Sequence, residues 1–245
     1  MGAMSGNPVR QACSRPHHCS TDTRLRVLAR SPLTRDLTPE QHRRLDAHLN
    51  ALAWAEGEPL MMAGDVPGGI HLIMSGRVRV TRDTTDGEEI TVDVAVPGDV
   101  LGPLVPAAVP VDDSAWAMET TCSLFLPADA LGEVVAEFPP LAVALLRLQQ
   151  ARLDAGRDRE VARTTRTVEQ RVAGVLLDLA ARLGQPRPDG SVLLQVRLRR
   201  DDVAGLASTT VESASRAMAR MKRNGLIDSG REWVALLDVA GLSAS

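Results

Sequence analysis

The sequence lacks long apolar runs and the short motifs of several common enzyme classes. No run in it approaches the ~20 apolar residues that a membrane-spanning helix needs. The opening residues, MGAMSGNPVRQACSRPHHCS, contain no apolar core of a secretory signal. There is no G-x-S-x-G elbow, no G-x-x-x-x-G-K-S/T loop and no H-E-x-x-H pair. We therefore expect a cytoplasmic protein without a membrane partner and without enzymatic activity.

Lysine and cysteine are scarce. Lys222 is the single lysine, which we attribute to the coding bias of the source, and there are three cysteines. Hydrophobic residues make up 44% and charged residues 24% of the 245 positions, which excludes disordered and collagen-like classes. This length allows two domains with separate cores. The net charge of −3 does not exclude DNA binding, because the charge of one face decides it.

Residues 200–227 have the pattern of a helix-turn-helix. A short amphipathic helix is predicted over 201–207, and the hydroxyls of Ser208, Thr209 and Thr210 can turn the chain and cap the next helix. Asn-Gly at 224–225 ends that second helix with residues that tolerate a left-handed backbone. Apolar residues recur along it at three- and four-residue spacing, at Val211, Ala214, Met218 and Met221.

The second helix carries a local excess of positive charge. Between Ser208 and Gly225 there are four basic residues and one acidic residue, a local net charge of +3 in a chain of net charge −3. A duplex-facing element needs such a reversal, although an ordinary arginine-rich surface helix would show it too. The basic residues are Arg216, Arg220, Lys222 and Arg223.

The string V-E-S-A-S-R at 211–216 resembles the recognition helix of the Crp/Fnr transcription regulators, in the Fnr branch, whose signature is E-x-x-S-R. Cyclic-AMP-type members have an arginine before the glutamate, where this chain has Val211. The resemblance implies that Glu212, Ser215 and Arg216 read a TTGAT-like half-site. Arg216 can bond to O6 and N7 of guanine, and Glu212 can accept from a cytosine amino group. The turn of the family has glycine where this chain has Ser208. The candidate DNA contacts are Glu212, Ser215, Arg216, Thr209, Thr210, Ser213, Arg220 and Arg223.

After Gly57 the sequence changes to short alternating runs broken by glycine and proline. The runs GIHLIMSGRVRVTRD, EEITVDVAVPGDV and SAWAMETTCSLFLP predict antiparallel strands. Asp86-Gly87 is typical of a tight hairpin. The pieces E-G-E-P-L, A-G-D, I-M-S-G-R-V and P-G-D-V-L-G resemble the corners of the Crp/Fnr β-roll. The resemblance thus extends from about Leu37 to the carboxy terminus.

Three further helices are predicted outside the strands. One runs over 38–49, with Thr38 as cap and Pro39 at its first position. A long one runs from Pro139 or Pro140 to about Thr165, and one over 167–183 opens the carboxy-terminal domain. The long helix has a main apolar stripe and a minor one through Leu146 and Leu153. We assign the main stripe to a homodimer interface. The alternative is that the helix belongs to the core of a single subunit. The main stripe is Leu141, Leu145, Leu148, Ala151 and Ala155.

The sensor pocket argues against a cyclic-AMP-type ligand. The family holds the cyclic phosphate with the arginine of an R-S-A pattern, and this chain has Asp113 there. Asp99 replaces the glutamate that contacts the ribose, and no basic residue lies in 97–117. Because a carboxylate repels a phosphate, we do not expect cAMP to bind.

The three cysteines indicate a different possible signal, the redox state of the cell. The Fnr branch senses oxygen through an iron–sulfur cluster held by four cysteines, and Cys13 and Cys19 have the C-x5-C spacing of two of them. Arg10 stands where a further one would be, and Cys122 lies on the strand that supplies the last, displaced by two residues along it. The alternative is a polar tail and a cysteine that fills the core. We expect His42 and His48 to be solvated and His71 to have a structural role. The candidate ligands are Cys13, Cys19, Cys122, His17 and His18.

The fold class is therefore expected to be α+β. Its parts are a cyclic-nucleotide-binding-like β-roll (jelly roll), a long dimerisation helix and a winged helix-turn-helix. The domains are expected at 1–22 (polar lead), 23–136 (roll), 137–165 (dimerisation helix) and 166–245 (DNA-binding domain). The expected function is transcription regulation by a homodimer on double-stranded DNA, together with RNA polymerase and under a redox or other non-cAMP signal. The alternatives are a metal-free small-molecule sensor and a constitutive DNA binder regulated by abundance.

Overall fold

The structure, a computed structural model, describes residues 19–104 and 109–244. These residues form two compact units that divide between Glu160 and Val161, and each is described by itself. Within the described ranges no helix is both long enough and apolar enough to cross a membrane.

The first unit begins with two short helices and continues as strands. Thr38 caps the second helix by accepting a hydrogen bond from the amide of Gln41, and Pro39 is its first residue, as predicted. The helices are α1 (Thr21–Arg30), α2 (Pro39–Asp46), α3 (Ala128–Glu137) and α4 (Pro139–Thr165), the last crossing the division between the units. The strands are β1 (Asn50–Trp54), β2 (Pro59–Met61), β3 (Gly69–Ser75), β4 (Val78–Asp83), β5 (Glu89–Ala95), β6 (Val100–Leu101), β7 (Asp113–Ala117) and β8 (Thr121–Pro127).

Two four-stranded antiparallel sheets form the predicted β-roll. Their strand orders are β1-β8-β3-β6 and β2-β7-β4-β5. Strands β4 and β5 form the hairpin expected at Asp86-Gly87, although its connection comprises residues 84–88, longer than a two-residue turn. Gly76, between β3 and β4, has φ of +80°, and a Cβ there would lie 2.4 Å from the Thr121 hydroxyl. The glycine-marked corner therefore requires glycine.

Strand β3 is buried on both faces, because the roll has a core inside and another outside. Ile73 faces the interior cluster with Val78 and Ala115. Alternate residues such as Leu72 face an outer cluster, formed with α1 to α4. This outer cluster also explains His42, which we expected to be solvated and which is buried, with Nε2 2.9 Å from the carbonyl oxygen of Thr34.

Helix α4 presents two apolar faces, and the structure corrects our assignment of them. Leu141 and Leu145 are buried in the outer cluster of their own chain, and Leu148 packs against it. These positions of the expected interface cannot face a second subunit at the same time. About a third of a turn around the helix, Leu146 is 71% exposed and Leu153 is 53% exposed. Val143 and Val161 are exposed on that same face, and Ala151 and Ala155 are exposed as well.

The second unit is a helical cluster with a small sheet, the winged helix-turn-helix expected from the sequence. Its sheet has the order β11-β12-β10-β9, and β11 and β12 form the wing hairpin. The helices are α5 (Val168–Leu183), α6 (Arg200–Leu206), α7 (Val211–Arg223) and α8 (Val239–Ala244). The strands are β9 (Gln185–Pro186), β10 (Val192–Leu194), β11 (Ile227–Ser229) and β12 (Val234–Leu236).

Candidate nucleic-acid interface

Helix α7 separates a buried apolar face from an exposed polar face. Its buried residues are Ala214, Ala217, Met218 and Met221. Val211, which we included in the apolar stripe, is 48% exposed, since it lies in the first turn, beyond the reach of the neighbouring helices. At the other end, Gly225 has φ of +73°, the left-handed conformation expected after this helix.

The start of α7 brings several candidate contacts together. Thr210 caps the helix, since its hydroxyl accepts from the amide of Ser213 at 3.2 Å. One turn on, a guanidinium nitrogen of Arg216 lies 3.2 Å from a carboxylate oxygen of Glu212, and the two side chains are 68% and 77% exposed. An ion pair this exposed adds little stability, so both groups can exchange it for another partner. Ser215 lies half-buried between them along the helix.

Two basic residues further along α7 have partners within their own unit. Arg220 lies 3.1 Å from the carboxylate of Glu169 on α5. Lys222 lies 2.6 Å from Asp228 on β11, which holds the pKa of that carboxyl below its usual range. Lys222 thus joins the helix to the wing, while Arg223 is exposed beside it.

Sequence reasoning missed Arg171, which holds the turn between α6 and α7. Arg171 lies on α5, and its Nε donates to the carbonyl oxygen of Ala207 at 2.9 Å. One of its Nη atoms lies 3.4 Å from the carbonyl oxygen of Ser208. A lone arginine inside an amphipathic helix gives no sequence signal for this role. The turn that it holds contains Ser208 at φ +48°, the single non-glycine residue with positive φ in the described residues.

In the roll, Asp113, the residue expected to repel a cyclic phosphate, takes part in an ion pair. Asp113 on β7 accepts a hydrogen bond from Nε of Arg82 on β4 at 2.7 Å, and this contact raises the pKa of Arg82. Asp99 accepts from the amide of Val96 at 2.8 Å. Arg152 of α4 donates to the carbonyl oxygen of Val100, and burial lowers its pKa while the nearby Asp93 and Asp99 carboxylates raise it.

Some of the candidate metal ligands lie within the described residues and some lie outside them. Cys13, His17 and His18 lie outside the described residues. Cys19 and Cys122 are both buried in the outer cluster, 8% and 1% exposed. Among the described residues, no group of three or more His, Cys, Asp or Glu side chains could hold a metal ion. The described part therefore supplies two thiols in an apolar setting and does not by itself complete a ligand set.

His71 has the structural surroundings that we expected. It is 8% exposed, its Nδ1 lies 3.1 Å from the hydroxyl of Ser123, and its ring contacts those of Trp54 and Phe125. Burial lowers the pKa of His71 from 6.5 to about 4. His48, expected to be solvated, is half-buried, 3.3 Å from Glu137.

Comparison with known proteins agrees with both units. Residues 170–245 match the Crp-like helix-turn-helix domain, and residues 52–138 match the cyclic nucleotide-binding domain. The chain is 27% identical over 189 residues to the transcriptional activator protein anr of Pseudomonas aeruginosa, covering 77% of each. It is 26% identical over 202 residues to a CRP-like cAMP-activated global transcriptional regulator of Mycobacterium tuberculosis, covering 82% of this chain and 90% of the other.

Solved structures share the fold. FixK2 from Bradyrhizobium japonicum superposes with a TM-score of 0.69 at 21% identity, over 80% of this chain and 96% of that one. A CooA mutant from Carboxydothermus hydrogenoformans gives a TM-score of 0.67 at 20% identity, over 82% and 89%. With a helix-turn-helix after a β-roll, and with regulators as its relatives, the chain belongs to the Crp/Fnr family of DNA-binding transcription regulators.

Proposed function

We propose that this chain regulates transcription as a homodimer that reads a TTGAT-like palindrome through α7. The observation that carries the proposal is the exposed start of α7, where Glu212 and Arg216 lie one turn apart at the helix end with which helix-turn-helix proteins touch bases. Arg216 bonds to guanine, and Glu212 accepts from a cytosine amino group. Because their mutual ion pair is exposed and weak, bases can replace it.

The remaining polar groups contact the backbone of the duplex. Thr209, Thr210 and Ser213 lie around the amino end of α7, where their hydroxyls can donate to a phosphate. Arg223 offers its charge directly, whereas Arg220 must first leave Glu169. Because a phosphate carries no sequence information, these contacts set affinity and orientation.

A dimer through α4 supplies the second recognition helix. The exposed face with Leu146 and Leu153 is one that a single subunit leaves uncovered, and a symmetric pair of such helices covers it. Ala151 and Ala155 are exposed too, but the helical repeat puts them on the far side of α4 from Leu146 and Leu153, so this contact does not include them. Two-fold symmetry of the protein then matches a palindromic operator. Contact with RNA polymerase belongs to the same proposal, and in vitro transcription with that enzyme tests it.

The signal is proposed to be other than a cyclic nucleotide. By resemblance to the family, Asp113 and Asp99 stand at the positions whose arginine and glutamate contact the cyclic phosphate and the ribose, and Arg82 is engaged by Asp113. Titration with cAMP in a calorimeter is expected to give no binding heat. A redox signal would be sensed by an iron–sulfur cluster with Cys19 and Cys122 as two of its ligands. Iron and sulfide analysis of protein purified without oxygen distinguishes it from a metal-free sensor.

Base reading is tested by a mobility-shift assay with a TTGAT-N4-ATCAA duplex. Replacing Arg216 with alanine is expected to cost about 1–3 kcal/mol and to relax the preference at the guanine of the half-site. The matched control is Arg223→Ala, which removes an equal charge and should weaken all sequences alike. Full discrimination by the Arg216→Ala protein would rule out the proposed reading.

A further inference from the structure

Arg152 connects the part of α4 beyond Leu148 to the roll. Within the described residues, the apolar packing of α4 against the outer cluster ends at Leu148. Arg152 lies one turn further along the same side of the helix, because residues four apart share a face. Its guanidinium donates to the carbonyl oxygen of Val100, the first residue of β6. A polar contact therefore continues the line along which Leu141, Leu145 and Leu148 pack on the roll.

The acceptor of this hydrogen bond belongs to a strand at the edge of its sheet. In the order β1-β8-β3-β6, strand β6 is the last. One side of an edge strand has backbone groups without a strand partner. Val100 is 1% exposed, so the solvent scarcely reaches this part of the edge. Arg152 supplies a donor there, and a hydrogen bond from a charged group is roughly twice as strong as a neutral one.

Two carboxylates complete the surroundings of the guanidinium. Burial lowers the pKa of Arg152, and the nearby carboxylates of Asp93 on β5 and Asp99 raise it. Asp99 also accepts from the amide of Val96 at 2.8 Å and thereby holds the turn that leads into β6. By resemblance, Asp99 stands where the family has the glutamate that contacts the ribose. The chain thus places its own cation beside an acid whose counterpart in the family contacts a ligand.

We propose that Arg152 is an internal latch that holds α4 against the edge of the roll, so that the docked position of this helix requires no bound ligand. The latch is polar and lies beyond the apolar packing, so it can open without disrupting the outer cluster. Leu153, the next residue, lies on the exposed face through which two subunits are proposed to meet. The consequence for DNA binding rests on that proposed function, whereas the latch itself does not.

Hydrogen exchange of the full chain, resolved by peptide, measures the latch. Arg152→Gln removes the charged donor and is expected to speed amide exchange around residues 150–157 of α4 at least about 10-fold. The matched control is Arg147→Gln on the same helix. Its guanidinium lies 3.6 Å from the carboxylate of Asp36, and the two side chains are 68% and 56% exposed. Because such a surface ion pair adds little stability, this variant should exchange as the wild type does.

Chemical rescue separates a specific contact of the guanidinium from a general loss of helix stability. Arg152→Ala leaves a space beside Val100 and the two carboxylates, and free methylguanidinium is expected to restore protection of α4 there. Tetramethylammonium at equal concentration has the same charge but no N–H donor, so it should not. Unchanged exchange in Arg152→Gln, or equal effects of the two cations on Arg152→Ala, would overturn the latch.

The consequence for DNA binding is tested separately, without any added ligand. The wild type is expected to bind the TTGAT-N4-ATCAA duplex, and Arg152→Gln to bind it at least about 3-fold more weakly. Arg147→Gln, which removes an equal charge, should bind as the wild type does. Faster exchange in Arg152→Gln with unchanged operator affinity overturns this consequence alone. A wild-type protein in which Arg152 protects α4 but which binds no TTGAT-like duplex overturns the proposed function and leaves the latch standing.

Discussion

At Ser208 the backbone adopts a left-handed conformation that a side chain disfavours. Its φ is +48°, and Arg171 holds the carbonyl groups of Ala207 and Ser208 in that turn. Glycine has no Cβ and adopts the same conformation without a steric clash. We expect Ser208→Gly to stabilise the protein by about 0.5–1 kcal/mol in urea unfolding, with DNA binding unchanged.

The control for this prediction is Ser208→Ala, which keeps the Cβ and removes the hydroxyl. It should show no gain, since the strain belongs to the backbone. If both variants stabilise the protein equally, the hydroxyl and not the positive φ is the unfavourable feature.

The buried ring of His71 predicts a loss of stability in acid. Its pKa is about 4 in the folded chain, against 6.5 unfolded, because burial disfavours the charged ring. The unfolded state therefore takes up the proton first, and the stability that His71 contributes is complete above about pH 6.5 and is lost as the pH falls towards 4.

Between pH 7.5 and pH 5, this difference amounts to about 2 kcal/mol of unfolding free energy. Urea unfolding at the two pH values measures it. His71→Leu, which does not titrate, should lose about 2 kcal/mol less than the wild type over this interval. An equal acid loss in both proteins would assign the effect to other groups.

Among the elements, α7 could be predicted closely and α4 only in part. For α7, the capping hydroxyl of Thr210, the spacing of Ala214 and Met218, and the terminal Gly225 are all local signals, and the structure has them. For α4, the sequence contains two apolar stripes. Only tertiary contacts decide that Leu145 is covered by its own roll and that Leu153 is exposed.

The exposed face of α4 gives a prediction that differs from the one drawn from the sequence. Leu153→Asp is expected to shift the protein from dimer to monomer in light scattering, because a charge would enter the proposed helix contact. Leu145→Asp is expected to unfold the outer cluster instead, since this side chain is 8% exposed. A folded, dimeric Leu153→Asp protein would refute the α4 contact.

For the whole molecule, charge location matters more than total charge. The chain has a net charge of −3, yet the exposed face of α7 carries four basic residues and one acidic residue. A palindromic site would meet this face twice, once from each subunit, and every phosphate neutralised releases counterions. The sequence showed this local excess directly. It did not show that Arg220 and Lys222 are engaged by Glu169 and Asp228, because ion pairs between distant residues need the fold.

Arg223 is thus the basic residue of α7 that we expect to act on phosphate directly, and the salt dependence of DNA binding measures it. Plots of log affinity against log salt should become shallower by about 2 for Arg223→Gln, one phosphate contact from each subunit. Arg26→Gln removes the same charge from an exposed position of α1 and should leave the slope unchanged. If both variants flatten the slope equally, total charge governs the affinity, and the phosphate contact assigned to Arg223 is wrong.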